Sequence, residues 1–276
     1  MIEEKILTFD GLPCQLGVDE AGRGPVIGPM VYGCAFSKIE DHDTVAQLGF
    51  ADSKQLTESQ RDSLFEKIKG SDKIGYITHS LSAHELSTKM LRKVKYNLNS
   101  ISHDTCAGLI RRALAGGVNV REVYIDTVGD PERYAEKLRG IFPTIKVTVT
   151  KKADSLFPIV SAASICAKVT RDEHVKKIPT GTPIGSGYPG DQRTVDWLDA
   201  NFDSVFAFGD QVRFSWSTVD ELIEKKNGVL IDWHDNEEAP GFDPKQKSMS
   251  SFFSTRNRRK IFTMRNLKLV TSHSIK

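Results

Sequence analysis

The sequence predicts an α/β fold, a mixed and partly parallel sheet flanked by helices, followed by C-terminal helices and a disordered basic tail. Three observations carry that reading. Short β-branched runs alternate with longer helical ones over residues 16–177, the pattern of strands joined by crossovers. Three strand candidates end in acid, and α/β sheets gather their sites outside the carboxyl ends of strands. The helical stretch 160–177 is rich in small residues (Ser161, Ala162, Ala163, Ser164, Ala167), which permit close packing of a helix on a sheet.

Taken in order, 16–19 and 30–36 read as a strand pair, with Gly17-Val18-Asp19-Glu20-Ala21-Gly22-Arg23-Gly24-Pro25 spanning the first strand and the turn after it. Side chains alternate along a strand, so Asp19 and Glu20 share a site only if the strand breaks there. Gly22, Gly24 and Pro25 supply the break. Gly22 and Gly24 also let bare backbone amides approach a ligand. Acid, acid, bare backbone and a cation suit a metal, a hydroxyl and a phosphate; a charged turn after a strand is the plain alternative. Thr57-Glu58-Ser59-Gln60 carries capping signals that start a helix running to about residue 69. Residues 73–80 read as a strand and 101–114 as a long helix ended by Gly116-Gly117. A short buried strand follows at 122–126, Pro131 opens a helix at its first position, and 145–150 is another strand. Helical segments near 193–201 and 218–226 close the folded part.

Composition fits a soluble protein: 276 residues, 39% apolar, 27% charged, formal net charge +2. That length holds one substantial domain with additions, or two small ones. No run of about 18 apolar residues exists to cross a membrane, and the N-terminus lacks the basic start and long apolar run of a signal peptide. Cys14, Cys34, Cys106 and Cys166 are widely separated in apolar surroundings and read as core residues of a reducing compartment. After Asp243 no acidic side chain remains, while nine lysines and arginines follow in the sequence from Lys245 to Lys276. Such a tail binds nucleic acid or carries an address.

Asp126 closes Val123-Tyr124-Ile125, and Asp154 follows the strand 145–150 and Lys151-Lys152. With Asp19 and Glu20 they make four carboxylates at three strand ends. Gathered in one pocket they repel, and divalent cations relieve that repulsion; hard oxygen donors suit magnesium or manganese. Two ions about 4 Å apart can activate a water and stabilise the leaving 3′ oxygen of a phosphodiester. Each acid alone is an ordinary strand-end turn residue; it is the set that reads as a site.

These residues carry a resemblance. The stretch 17–29, Asp52-Ser53-Lys54-Gln55-Leu56, Tyr124-Ile125-Asp126-Thr127-Val128-Gly129, Lys152-Ala153-Asp154 and Gly185-Ser186-Gly187-Tyr188-Pro189 closely resemble the type 2 ribonuclease H family. Residues 95–104 and 160–167 look like its eukaryotic catalytic subunit in particular, and the matches run in order over about 14–220. The resemblance implies a ribonuclease H-like fold and endonucleolytic cutting of RNA in RNA–DNA hybrids, including single ribonucleotides embedded in duplex DNA. The cut would fall 5′ of the ribonucleotide and leave a 3′-hydroxyl and a 5′-phosphate, as ribonucleotide excision repair and primer removal require. By motif match Asp19, Glu20, Asp126 and Asp154 would be the catalytic, metal-binding acids, holding two ions of magnesium or manganese. Gly22, Arg23 and Gly24 match the element whose backbone reads the ribose 2′-hydroxyl, the group that separates RNA from DNA. Tyr188 matches the tyrosine that stacks on the adjoining deoxyribose, and Lys54, Asn97 and Asn99 fall where the family contacts the phosphate backbone. Arg171 reads as an acid-paired organiser of its helix.

Two features depart from the eukaryotic pattern. The segment 178–184 before the tyrosine loop is shorter than in the eukaryotic family, which bears on how Tyr188 is presented. In the tail, Gln246-Lys247-Ser248-Met249-Ser250-Ser251-Phe252-Phe253 fits the peptide that docks on a sliding clamp, proliferating cell nuclear antigen. One turn there sets Met249, Phe252 and Phe253 on one face to fill an apolar pocket, with Gln246 beside them. The resemblance further implies a heterotrimer with two accessory subunits and a nuclear location, and 256–260 is basic enough for an import signal. The division expected is a catalytic domain over 1–205, a helical extension over 206–234 and a tail over 235–276. Two other readings remain: another nuclease of the same fold, and a non-catalytic clamp- and DNA-binding adaptor.

Overall fold

The computed structural model describes residues 1–50, 56–94, 96–179 and 181–228. Lys54 and the tail that carries Gln246, Met249, Phe252, Phe253 and the basic run lie outside the described residues.

The chain opens with strand β1 (Ile2–Lys5), then β2 (Cys14–Ala21) and β3 (Met30–Lys38). Helices α1 (His42–Gln47) and α2 (Glu58–Gly70) lead to β4 (Gly75–Leu81). Next come α3 (Ala83–Leu91), α4 (Leu98–Ala115), β5 (Val120–Asp126), α5 (Pro131–Ile141) and β6 (Lys146–Thr150). The short α6 (Ala153–Leu156) and the long α7 (Pro158–Lys176) precede α8 (Gln192–Ala200) and α9 (Ser217–Lys225). Local chemistry accounts for several boundaries. Thr57 and Gln60 form the expected capping box on α2, Pro131 stands in the first turn of α5, and Asn97 caps α4 by accepting from the Ser100 amide.

Six strands form one sheet in the order β1-β4-β3-β2-β5-β6. The pairs β1–β4, β4–β3 and β3–β2 are antiparallel, while β2–β5 and β5–β6 are parallel, so the sheet is mixed as expected. On one face Leu16, Val18, Cys34, Val123 and Ile125 pack with Cys106, Ile110 and Leu138 of α4 and α5. On the other, Ala35 and Tyr76 meet Ile165, Cys166 and Val169 of α7 and Phe65 of α2. All four cysteines are buried and free. The small-residue helix α7 lies close on β2 and β3. A Cβ on Gly33 would stand 2.2 Å from the Ala163 carbonyl oxygen, and one on Gly17 2.5 Å from the Ile159 backbone.

A third apolar cluster joins Val26 and Ile27 to Ile184, Trp197, Phe208, Val212, Val219 and Ile223. It seats α8 and α9 against the loop that leaves β2. Among the described residues no helix is long and apolar enough to cross a membrane.

Four described elements were not expected. β1 (Ile2-Glu3-Glu4-Lys5) shows no apolar alternation and pairs at the sheet edge with its residues largely exposed; α1 and α6 are too short to show a period. α3 had a legible start, since Ser82 accepts from the Glu85 amide, a Ser-x-x-Glu signature.

Candidate active site

β2, β5 and β6 are parallel neighbours, so their carboxyl ends lie along one edge of the sheet. Val18 pairs with Ile125, and Asp126 with Thr150. Asp19 therefore stands one step beyond the Val18–Ile125 pair, level with Asp126, on strands about 4.8 Å apart. Asp154 enters from α6, directly after β6. Asp19 and Asp126 share the α7 face of the sheet.

The turn does not break where expected. β2 continues through Asp19 and Glu20 to Ala21 and ends at Gly22, whose φ is 76°. Alternation therefore places Glu20 on the α4 face, paired across from Tyr32. The strand end is narrow enough that the charges still act on one another. Burial pushes the Asp19 carboxyl up to about 7, and the charges of Asp126 and Asp154 add to the rise. Burial likewise raises Glu20 to about 8, with Asp19 and Asp126 adding and the Arg23 guanidinium opposing. Both acids thus hold their protons far more tightly than free carboxyls.

Backbone amides fix the direction of these groups. Asp19 Oδ1 accepts from the Glu20 amide at 2.7 Å, and the Ser164 hydroxyl donates to the same carboxyl. Asp126 Oδ1 accepts from Thr127 N at 3.0 Å and Ala153 N at 3.2 Å. Among the described residues no three of these acids close by themselves into a cage for an ion. The donor set still fits a hard divalent cation. Carboxylates crowded at one strand end gain from a positive charge between them, and magnesium keeps waters and takes substrate phosphate oxygens to complete its shell.

Gly22, Arg23 and Gly24 line an open cleft of about 390 Å³ with Glu20, Arg61, Lys168, Arg171, Asp172 and Tyr188. Tyr188 is 44% exposed and lies against Gly24, where a Cβ would meet its ring at 3.2 Å. The shortened segment before it still delivers it to the cleft. Its loop is pinned by Gly187 N donating to Thr194 Oγ1 at 3.0 Å, and by Val26 N donating to the Gly187 carbonyl at 2.8 Å. The Arg23 side chain, by contrast, is laid on α4: it donates to Ser102 Oγ at 2.7 Å and to Asn99 Oδ1. Asn99 therefore holds Arg23, and the Asn97 side chain holds the start of α4.

Sequence reading missed much of the positive lining. Lys168, Arg171 and Asp172 recur at i, i+3 and i+4 on α7, which puts them on one helix face, and that spacing was a usable signal. Arg171 pairs with Asp172, as expected for an organiser of its helix, and Asp172 pairs with Arg61. Arg171 also donates to the Ser186 carbonyl at 3.1 Å and lies 5.9 Å from the centre of the Tyr188 ring, so it braces the tyrosine loop. Arg213 and Trp216, behind the glycine loop, gave no signal because their partners are more than 180 residues away in sequence.

Comparison with known proteins shows the family of this fold. The family model for Ribonuclease HII matches residues 16–219. The A subunit of ribonuclease H2 from Homo sapiens is 51% identical over 231 residues, covering 81% of this chain and 77% of its own. Among solved structures, ribonuclease H2 from Pyrococcus horikoshii superposes with a TM-score of 0.68 at 33% identity, over 78% of this chain and all of that one. Ribonuclease HII of Archaeoglobus fulgidus, solved in a complex with PCNA, gives 0.66 at 32% identity over 75% of this chain and 96% of that one. With the acids and the cleft placed as above, the chain belongs to the ribonuclease HII family and is a nuclease, a hydrolase acting on RNA–DNA hybrids.

Proposed function

We propose that the chain cuts duplex DNA 5′ of an embedded ribonucleotide, as well as the RNA strand of longer hybrids, and leaves 3′-hydroxyl and 5′-phosphate ends. The observation that carries this reading is the meeting of Asp19, Glu20, Asp126 and Asp154 at one sheet edge, beside a cleft walled by backbone at Gly22–Gly24. In it, the four acids hold two divalent cations, magnesium or manganese. Bound there, the cations supply an activated water and stabilise the departing 3′ oxygen.

The chain's own groups do the rest. The amides of Glu20, Thr127 and Ala153 keep the Asp19 and Asp126 carboxylates aimed, so little reorganisation is left for the reaction. The Gly22–Gly24 backbone reads the 2′-hydroxyl, which both donates and accepts. Tyr188 stacks on the next deoxyribose. Arg61, Lys168 and Arg171 give the cleft the positive wall that a phosphate backbone needs; Lys54 and Asn97 complete that contact in the same reading.

In the same reading the catalytic domain spans 1–205, with the extension 206–234 and tail 235–276 attached, and two accessory subunits join it in the nucleus. The complex of the Archaeoglobus fulgidus relative with PCNA supports clamp docking through Gln246, Met249, Phe252 and Phe253. The function suggested is removal of ribonucleotides and primers from DNA. The test uses one duplex carrying ribose, deoxyribose or 2′-O-methylribose at a single position, with magnesium. Cleavage of the ribose duplex alone is expected; equal cleavage of all three would overturn 2′-hydroxyl reading in favour of a general nuclease of this fold.

A further inference from the structure

A buried guanidinium sits behind the glycine loop and has no carboxylate partner among the described residues. Arg213 is fully buried and donates to three carbonyls: Gly22 from Nη2 at 2.6 Å, Arg23 from Nη1 at 3.1 Å and Gly28 from Nε at 2.9 Å. Trp216 completes the set, its Nε1 donating to the Gly24 carbonyl at 3.0 Å. The guanidinium lies 4.7 Å from the centre of the Trp216 ring. The two side chains thus hold three consecutive carbonyls, Gly22, Arg23 and Gly24, on one side.

A trans peptide is planar, with its N–H opposed to its C=O. Drawing the Gly22 carbonyl to Arg213 therefore turns the Arg23 N–H the other way, and drawing the Arg23 carbonyl does the same for the Gly24 N–H. Pro25 follows, with no N–H to place. Among the described residues neither the Arg23 nor the Gly24 amide donates to any acceptor, so both remain open on the side away from the clamp. Glycine at 22 and 24 leaves the peptide planes free to turn, and the direction is set from the C-terminal segment. That segment is itself anchored, by Arg213 N donating to the Val26 carbonyl at 2.8 Å and Phe214 N to Ser87 Oγ at 2.9 Å.

We propose that Arg213 is a positioning residue for sugar recognition: by holding the carbonyls of Gly22 and Arg23 it aims the amides of Arg23 and Gly24 and so sets the preference for ribose over deoxyribose, while Trp216 steadies the end of the loop at the Gly24–Pro25 peptide. The inference rests on the reading that this loop recognises the 2′-hydroxyl. It makes the segment after α8 a determinant of specificity rather than a mere prop.

The test is a binding cycle on the full chain without divalent metal, where nothing is cut. Affinities of wild type, Trp216→Phe and Arg213→Lys are measured for a duplex with one ribonucleotide and for the same duplex in all-DNA form. Arg213→Lys keeps the charge but loses the fork that spans two carbonyls, and Trp216→Phe removes the indole N–H while keeping an aromatic six-membered ring; the melting temperature of each verifies its fold. The ribose-to-deoxyribose affinity ratio is expected to fall toward one in Arg213→Lys, by about three- to tenfold, the range of one hydrogen bond, and to hold in Trp216→Phe, whose lost bond bears on a peptide without an N–H. A purely structural role for Arg213 would weaken both duplexes by the same factor and leave the ratio intact in Arg213→Lys, which would overturn the proposal while the loop reading stands. A wild-type ratio of one would instead overturn the loop reading and the proposal with it.

Discussion

Replacing Asp19 by Asn is expected to stabilise the metal-free protein while abolishing cleavage. The carboxyl is raised from 3.8 to about 7 in the fold, first by burial and then by the charges of Asp126 and Asp154. At about 1.4 kcal/mol per pKa unit that displacement corresponds to about 4 kcal/mol. The sign follows from linkage. A carboxyl with a raised folded-state pKa binds its proton more tightly folded than unfolded, so its effect on stability is absent below about pH 4 and grows as the pH rises to about 7. The folded state is then weakened by the ionised, crowded carboxylate. Asn keeps the size of the side chain and an oxygen to accept the Glu20 amide, but sheds the charge. Scanning calorimetry in EDTA at pH 8 is expected to show a melting temperature about 5–10 °C above wild type, allowing for partial relief. The gain shrinks to about a third at pH 5. Magnesium is expected to raise the melting temperature of wild type more than that of Asp19→Asn. An unchanged or lower melting temperature at pH 8, or a gain as large at pH 5, would refute the reasoning that burial and the neighbouring carboxylates make the Asp19 charge costly in the metal-free fold.

Three further outcomes follow from the same geometry. Tyr188→Ala is expected to harm cutting at a single ribonucleotide more than cutting of a long hybrid, compared through kcat/KM on the two substrates; equal loss would count against stacking at the junction. Gly33→Ala drives a Cβ into the Ala163 carbonyl and is expected to destabilise by about 1–3 kcal/mol, read as a lowered urea midpoint; a neutral result would mean that α7 can lift from the sheet at no cost. Replacing Phe252 and Phe253 by Ala is expected to remove binding to the sliding clamp in a pull-down with purified components while leaving hybrid cleavage intact, and undiminished clamp binding would sink the tail assignment.

How much of this was legible depends on how far each cause lies along the chain. The acid-bearing strand ends could be read because a buried parallel strand carries its own signature, and Asp19, Asp126 and Asp154 each stand at or just past the end of one. Their convergence then needed only the order of β2, β5 and β6. The capping box at Thr57 and the small face of α7 were local as well. What failed was fine geometry. Gly22 breaks the strand one residue after Ala21, and that small difference sends Glu20 to the other face, where Arg23 and Tyr32 surround it. Asn97 and Asn99 matched a backbone-contact pattern, and a motif match does not reveal that within the fold the first also caps a helix and the second also holds Arg23. Arg213 and Trp216 show the limit most clearly. They act on carbonyls of Gly22 and Gly24 across 191 and 192 residues, and main-chain acceptors leave no mark in a sequence.

The most direct test of the central claim is to map the cut in a duplex DNA with one internal ribonucleotide, using magnesium, the purified chain with and without the two proposed accessory subunits, and an all-DNA control. A single cut 5′ of the ribonucleotide, leaving a 3′-hydroxyl and lost in Asp19→Asn, is the expected result. Cleavage that persists in Asp19→Asn, or no cleavage even with the proposed accessory subunits supplied, would contradict the assignment of these four acids as the reacting centre.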